Sequence, residues 1–159
     1  MAYKMKERTL GIRDFWREIV IILILAVVSY YMIRILPVRT VGILLFLVPS
    51  VAGGYLIAKK GAKDSHALLI PAAVLVLFFL IMIISPIIKC INTPDEEFLM
   101  GFSNEPQWAN YPASVLKLMS IAGMFVAIAV IIVPIGIVGA WAGSKLGLKF
   151  PANRPVQTE

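Results

Sequence analysis

Apolar residues run along this chain in four long blocks, and the charged residues sit almost wholly at the joints between them. Residues 40–58, 67–88 and 118–144 contain no Asp, Glu, Lys, Arg or His. A fourth block, Ile19–Ile33, is followed at once by Arg34. At a rise of about 1.5 Å per residue, about 20 apolar residues in a helix cross a bilayer core. A soluble domain of 159 residues has no interior that could hide four such segments. The pattern predicts an all-α, polytopic membrane protein: one four-helix transmembrane domain over 1–159, with spans at about 15–36, 40–58, 67–88 and 112–145.

Each span carries its own punctuation. In the first, Phe15 and Trp16 mark one interface, Tyr30 and Tyr31 approach the other, and Arg34 lengthens a short apolar stretch by snorkelling. Pro37-Val38-Arg39 reads as a tight turn. Pro49, Pro71 and Pro86 lie in or near spans two and three, where proline kinks a membrane helix without breaking it. From Pro112, which can open the fourth helix, to Lys145 is 34 residues, roughly 50 Å of helix. That exceeds the hydrocarbon thickness, so this helix is expected to tilt, to bend near Pro134 and Gly136, or to project beyond the membrane, with Lys117 in the outer projection.

The loop 89–111 is the one sizeable polar segment between spans. Thr93-Pro94-Asp95-Glu96 reads as a capping box with proline at the first helical position. Phe98, Leu99 and Phe102 would share one face of a short outer-surface helix lying on the membrane or against the bundle. A plain polar loop is the other reading. Trp108 and Tyr111 fall where an aromatic belt is expected.

Below the level of topology, the most specific feature is an internal echo. Residues 53–63 (GGYLIAKKGAK) and 139–149 (GAWAGSKLGLK) both read Gly-x-aromatic-x-x-x-Lys-x-Gly-x-Lys. Gly53, Tyr55, Lys59, Gly61 and Lys63 in the first copy answer to Gly139, Trp141, Lys145, Gly147 and Lys149 in the second. The aromatic and the first lysine anchor a helix end at the interface, and the second glycine can end the helix in a left-handed conformation. Convergence can produce such a pattern; so can duplication, which would make the domain two parallel-repeat helical hairpins. Small residues also recur four apart, as Gly54, Ala58 and Ala62 and as Gly139, Gly143 and Gly147, with Gly136 adjoining. Spacing of this kind lets helix backbones approach closely in lipid, either inside the bundle or against another subunit.

Charge then sets orientation. The mean hydropathy of +0.89 belongs to the membrane class, and the net charge of +6 is unevenly spread. Eleven of the 15 basic residues fall in the segment before span one, the 59–63 link and the tail. Arg34, Arg39, Lys89 and Lys117 fall on the other side, with Asp95, Glu96, Glu97 and Glu105. The positive-inside rule places both termini in the cytoplasm and loop 89–111 outside a plasma membrane. The expected partners are the lipid bilayer, whose anionic head groups the basic residues meet, and other membrane-protein subunits; nucleic acid is not expected. Residues 1–33 resemble a signal peptide in charge and apolarity, but Ser29-Tyr30-Tyr31 is a poor cleavage site, so an uncleaved span is expected. Ala2 and the position of Cys90 offer no lipidation motif.

Site chemistry is sparse. Ser29, Ser50, Ser85, Ser120 and Thr40 are the polar residues expected within the membrane, and the lone His66 falls in a basic turn beside Asp64. One Cys and one His supply neither a disulfide framework nor a metal site, so no cofactor is expected. Ser120 has no His or Lys partner nearby for nucleophilic catalysis. Small multidrug transporters need a glutamate embedded in the first helix, and quinone-reducing thiol enzymes need Cys-x-x-Cys; neither feature is expected here. The Ile/Val-rich spans with Gly-Gly helix ends are in the style of small prokaryotic membrane proteins. The expectation is a non-catalytic accessory subunit of a larger membrane complex; the alternative is a small channel or transporter formed by oligomerisation.

Overall fold

A computed structural model describes residues 12–35, 44–102, 107–108 and 110–149, and among them every regular element is helical. A 3₁₀ turn, Ile12–Phe15, leads into α1 (Trp16–Ile35). Then come α2 (Leu47–Lys59), α3 (Asp64–Met82), α4 (Ile84–Asn92), α5 (Asp95–Met100), α6 (Ala113–Ala127) and α7 (Val133–Lys149). Among the described residues, three stretches are long and apolar enough to cross a membrane: Arg13–Ile33, Asp64–Asn92 and Ala113–Lys149. The expected second span begins outside the described residues, and the 13 residues of α2 rise only about 20 Å.

The chain divides into two compact units, residues 1–75 with 135–159 and residues 76–134. In the first unit, buried positions of α1 and its lead-in turn recur at Phe15, Glu18, Ile22, Ala26 and Ser29, one narrow stripe at helical spacing. Around it Trp16, Ile21, Ile24, Val28 and Tyr31 lie exposed. A soluble protein rarely leaves so wide an apolar surface to water; in lipid that surface needs no cover. Phe15 is fully buried in a core with Ile22, Ile57, Ala58, Ala67 and Val74.

Helix α2 gives Ile57 and Ala58 to this core and, one turn earlier, presents a glycine that lets its neighbours close in. Gly53 lies so close to α1 and α3 that a Cβ there would meet Ile22 Cδ1 at 2.6 Å and Pro71 Cβ at 2.9 Å. Pro71 is fully buried within α3, which runs on through it. The three buried serines of this unit donate to carbonyls: Ser29 to Leu45 O (3.1 Å), Ser50 to Phe46 O (3.4 Å) and Ser144 to Trp141 O (2.8 Å). Such bonds satisfy a buried hydroxyl without a second polar side chain.

Helix α2 ends as expected. Lys60 caps it with its N–H on Ile57 O and Leu56 O, and Gly61 follows at φ 80°. A side chain at that φ is strained, so Gly61→Ala should lower stability by about 1–2 kcal/mol, read as a shift in thermal unfolding in detergent. The second copy of the echo departs here. Gly147 remains inside α7, and a Cβ on it would lie 2.6 Å from Tyr55 O and 2.9 Å from Ala58 Cβ. One motif glycine turns the chain, whereas the other admits a neighbouring backbone.

Helix α3 also starts earlier than expected. It opens at Asp64, so His66 lies in a helical first turn and not in a solvated loop. Its ring stands edge-on to Phe15 at 6.3 Å.

In the second unit, the helical stretch continues past the expected end of span three to Asn92, so residues 89–92 are helix and not loop. Pro86 lacks the N–H that would bond Met82 O, and the ladder is interrupted next to that carbonyl, at Ile83. Pro134 has a similar neighbour: residues Ile128–Ile132 form a π-helical turn just before it, a common device for fitting a proline into a long helix. The expected capping box does not form. Thr93 closes α4 instead, its Oγ1 donating back to Lys89 O at 2.8 Å, and Pro94 takes the N-cap position of α5 without a side-chain bond. The Lys89 carbonyl also accepts the Thr93 N–H at 3.0 Å, so amide and hydroxyl of one residue share the last carbonyl of the helix. Pro112 likewise sits at the N-cap of α6, with its carbonyl accepting from Val115 N and Leu116 N.

Candidate functional sites

Three constellations stand out from the packing. The first is a seam between α2 and α7, where the two copies of the echo meet. A Cβ on Gly139 would lie 2.7 Å from Ser50 Cβ. On Gly143 it would fall on the carbonyl of Val51, and on Gly54 on that of Ala140. Gly147 meets Tyr55 and Ala58. Contacts advance along both helices in the same direction, so the two run parallel with backbone against backbone. The small-residue face of α7 is therefore occupied within the chain and is not open to another subunit. Gly136 adjoins Ala72 at an ordinary 3.4 Å.

The second is a buried ion pair that sequence reasoning missed. Glu18, in the first turn of α1, is only 7% exposed. Its Oε1 accepts from Lys60 Nζ at 2.6 Å, and the same Nζ donates to the backbone carbonyl of Asp14 at 3.0 Å. Glu18 Oε2 is buried with no hydrogen-bond partner. Glu18 is thus buried against protein at the start of the first helix, a placement that sequence reasoning did not anticipate. The reason is register: Glu18 lies three residues past Phe15 and four before Ile22, on the one stripe of α1 that faces protein. The apolar pattern of α1 is nearly even around the helix, so nothing in the sequence marks that stripe.

The third lies in the unit 76–134. Lys117 Nζ donates to Thr93 O (2.6 Å) and to Asp95 Oδ1 (2.7 Å), and stands 5.6 Å from the centre of the Phe98 ring. Cys90 Sγ lies 3.9 Å from Lys117 O. Lysine on α6 thereby clasps the end of α4 and the start of α5. Its side chain is 15% exposed and that of Asp95 68%, so the carbonyl bond and the ring carry more of the clasp than the ion pair. Lys117→Met should release α5 at a local cost of about 1–2 kcal/mol. Faster amide exchange over 93–102, with little change in global unfolding, is the expected outcome.

Of the anchor residues, Tyr55 and Lys59 lie beside the stretch of α7 that carries Lys145, and the others are spread along the helices. Trp16 and Trp141 are exposed, as are Lys59 and Lys145. Tyr55 is half-buried, with Lys59 Nζ 5.5 Å from its ring centre. Trp108 stacks obliquely on Tyr111 at 5.9 Å. The Arg34 side chain lies outside the described residues. Among the described residues, no three of His, Cys, Asp and Glu converge as metal ligands. No protein-family model matches this chain, and neither a curated protein nor a solved structure matches it.

Proposed function

We propose that this chain is a non-catalytic accessory subunit of a larger complex in a prokaryotic plasma membrane. On this reading it crosses four times, with both termini cytoplasmic and segment 89–111 outside. The parallel run of α2 beside α7 supports two hairpins in the same orientation. The observation that carries the functional reading is the Lys117 clasp. It holds a short acidic helix in place while leaving Leu99 and Met100 exposed, Met100 at 71%. A polar connection needs no such fastening, whereas a docking surface gains from pre-ordering. Photo-crosslinking from position 100 in native membranes should capture a different chain in a single product, and Lys117→Met should weaken that capture. A ladder of unrelated products, unaffected by the substitution, would remove the support.

A second reading, a small channel or transporter built by oligomerisation, is favoured by Glu18. An ionisable group buried at the end of a membrane helix with one oxygen unsatisfied is the kind of feature transport sites retain. Liposomes holding the purified protein alone should then show ion or solute flux that Glu18→Gln alters.

A further inference from the structure

The seam between α2 and α7 leaves a trough along its flank. Leu47, Val48, Val51, Ala52 and Tyr55 line one wall and Leu146 the other of a shallow, open trough of about 430 Å³ with an apolar lining. From Leu47 to Tyr55 the wall is roughly 12 Å long by helical rise. The trough flanks the close contact: Gly139 and Gly143 bring the α7 backbone against Leu47, Ser50 and Val51, and the trough lies beside that contact along Val48 and Ala52.

Beyond Tyr55 the character changes. Lys59 Nζ stands 5.5 Å from the Tyr55 ring, and a Cβ on Gly147 would lie 3.3 Å from Lys59 N. Lys59 is therefore beside the stretch of α7 that carries Lys145 and Lys149, and all three lysines are exposed. An apolar trough with three exposed lysines within about one helical turn of its Tyr55 and Leu146 end matches an amphiphile with an apolar chain and an anionic head. A second copy of this chain would set lysines against lysines.

We propose that this trough is a binding site for an anionic phospholipid, one acyl chain lying along Val48 and Val51 and the phosphate head group held by Lys59, Lys145 and Lys149. The inference rests on the membrane reading only in placing these lysines at head-group level; it is independent of any partner chain. A head-group charge near a surface lysine is strengthened several-fold per residue, so three lysines discriminate well over tenfold between anionic and neutral lipids.

Native mass spectrometry of the full-length protein, delipidated and then titrated with phosphatidylglycerol or phosphatidylcholine of identical chains, tests this. Phosphatidylglycerol should be retained at least tenfold better, with each of K59Q, K145Q and K149Q lowering retention about fivefold. Val48→Trp, placed on the exposed rim of the trough, should reduce retention of both lipids. The lysine variants change exposed side chains only, so their folding does not depend on the core. Equal retention of the two lipids, undiminished phosphatidylglycerol in the triple lysine variant, or displacement of the lipid by inorganic phosphate would each overturn the site. A dimer peak that disappears in Val48→Trp would assign the trough to a second copy and overturn it as well.

Discussion

Replacing Gly143 by alanine is expected to destabilise the protein by about 1–3 kcal/mol, the usual range for an overpacked close contact. A Cβ at that position falls on the Val51 carbonyl and within 2.9 Å of Tyr55 N, so backbone must move, not a pliable side-chain end. Leucine there should prevent α2 and α7 from meeting at all. Gly54→Ala faces the Ala140 carbonyl in the same way and should behave alike. Two comparisons isolate the cause. Gly136 meets only ordinary contacts at 3.4–3.6 Å, and Gly123 has nothing within 4 Å. Alanine at either should be neutral or slightly stabilising, since glycine in a helix interior is about 0.5–1 kcal/mol worse than alanine. Thermal unfolding of the four variants in one detergent gives the order directly. Equal behaviour at 143 and 123 would mean that the seam is not tight.

The buried pair should show its coupling in the same assay. Lys60→Met leaves both Glu18 oxygens without a partner in a site from which water is largely excluded, at a cost of about 1–3 kcal/mol. The lysine side chain is 40% exposed against 9% for the glutamate, so solvent screening keeps the loss below that of a fully buried pair. Adding Glu18→Gln should recover much of it, because the charge that needed Lys60 is gone. Glu18→Gln changing stability equally, within about 0.5 kcal/mol, in the presence and absence of Lys60 would show that the two residues act independently.

What was legible in the sequence follows from how locally each feature is specified. Apolar runs and their charged joints mark membrane helices because lipid demands that every exposed side chain be apolar, and that demand is written residue by residue. Gly61 was readable as a helix end for the same reason: a glycine after the last lysine of a helix has one local use. Gly147, in an identical context, does something else because a second helix passes it, and no local pattern contains that helix. The Thr93 correction is of the same kind, two local hydrogen bonds competing for one hydroxyl. Glu18 was hidden differently. In lipid the protein-facing stripe of α1 is no more apolar than the rest of the helix, so the usual contrast that reveals a buried face is missing. Lys117 needed both the course of α4 past residue 88 and the placement of α5, neither of which its own neighbours encode.

The native mass of the assembly released from its source membrane by mild detergent, with identification of its chains, bears most directly on the central proposal. The account predicts this chain in fixed stoichiometry with different membrane-protein chains, in a complex that Lys117→Met weakens. A particle made of this chain alone would contradict the accessory-subunit reading and shift the function to a channel or transporter, with Glu18 as its first residue to test.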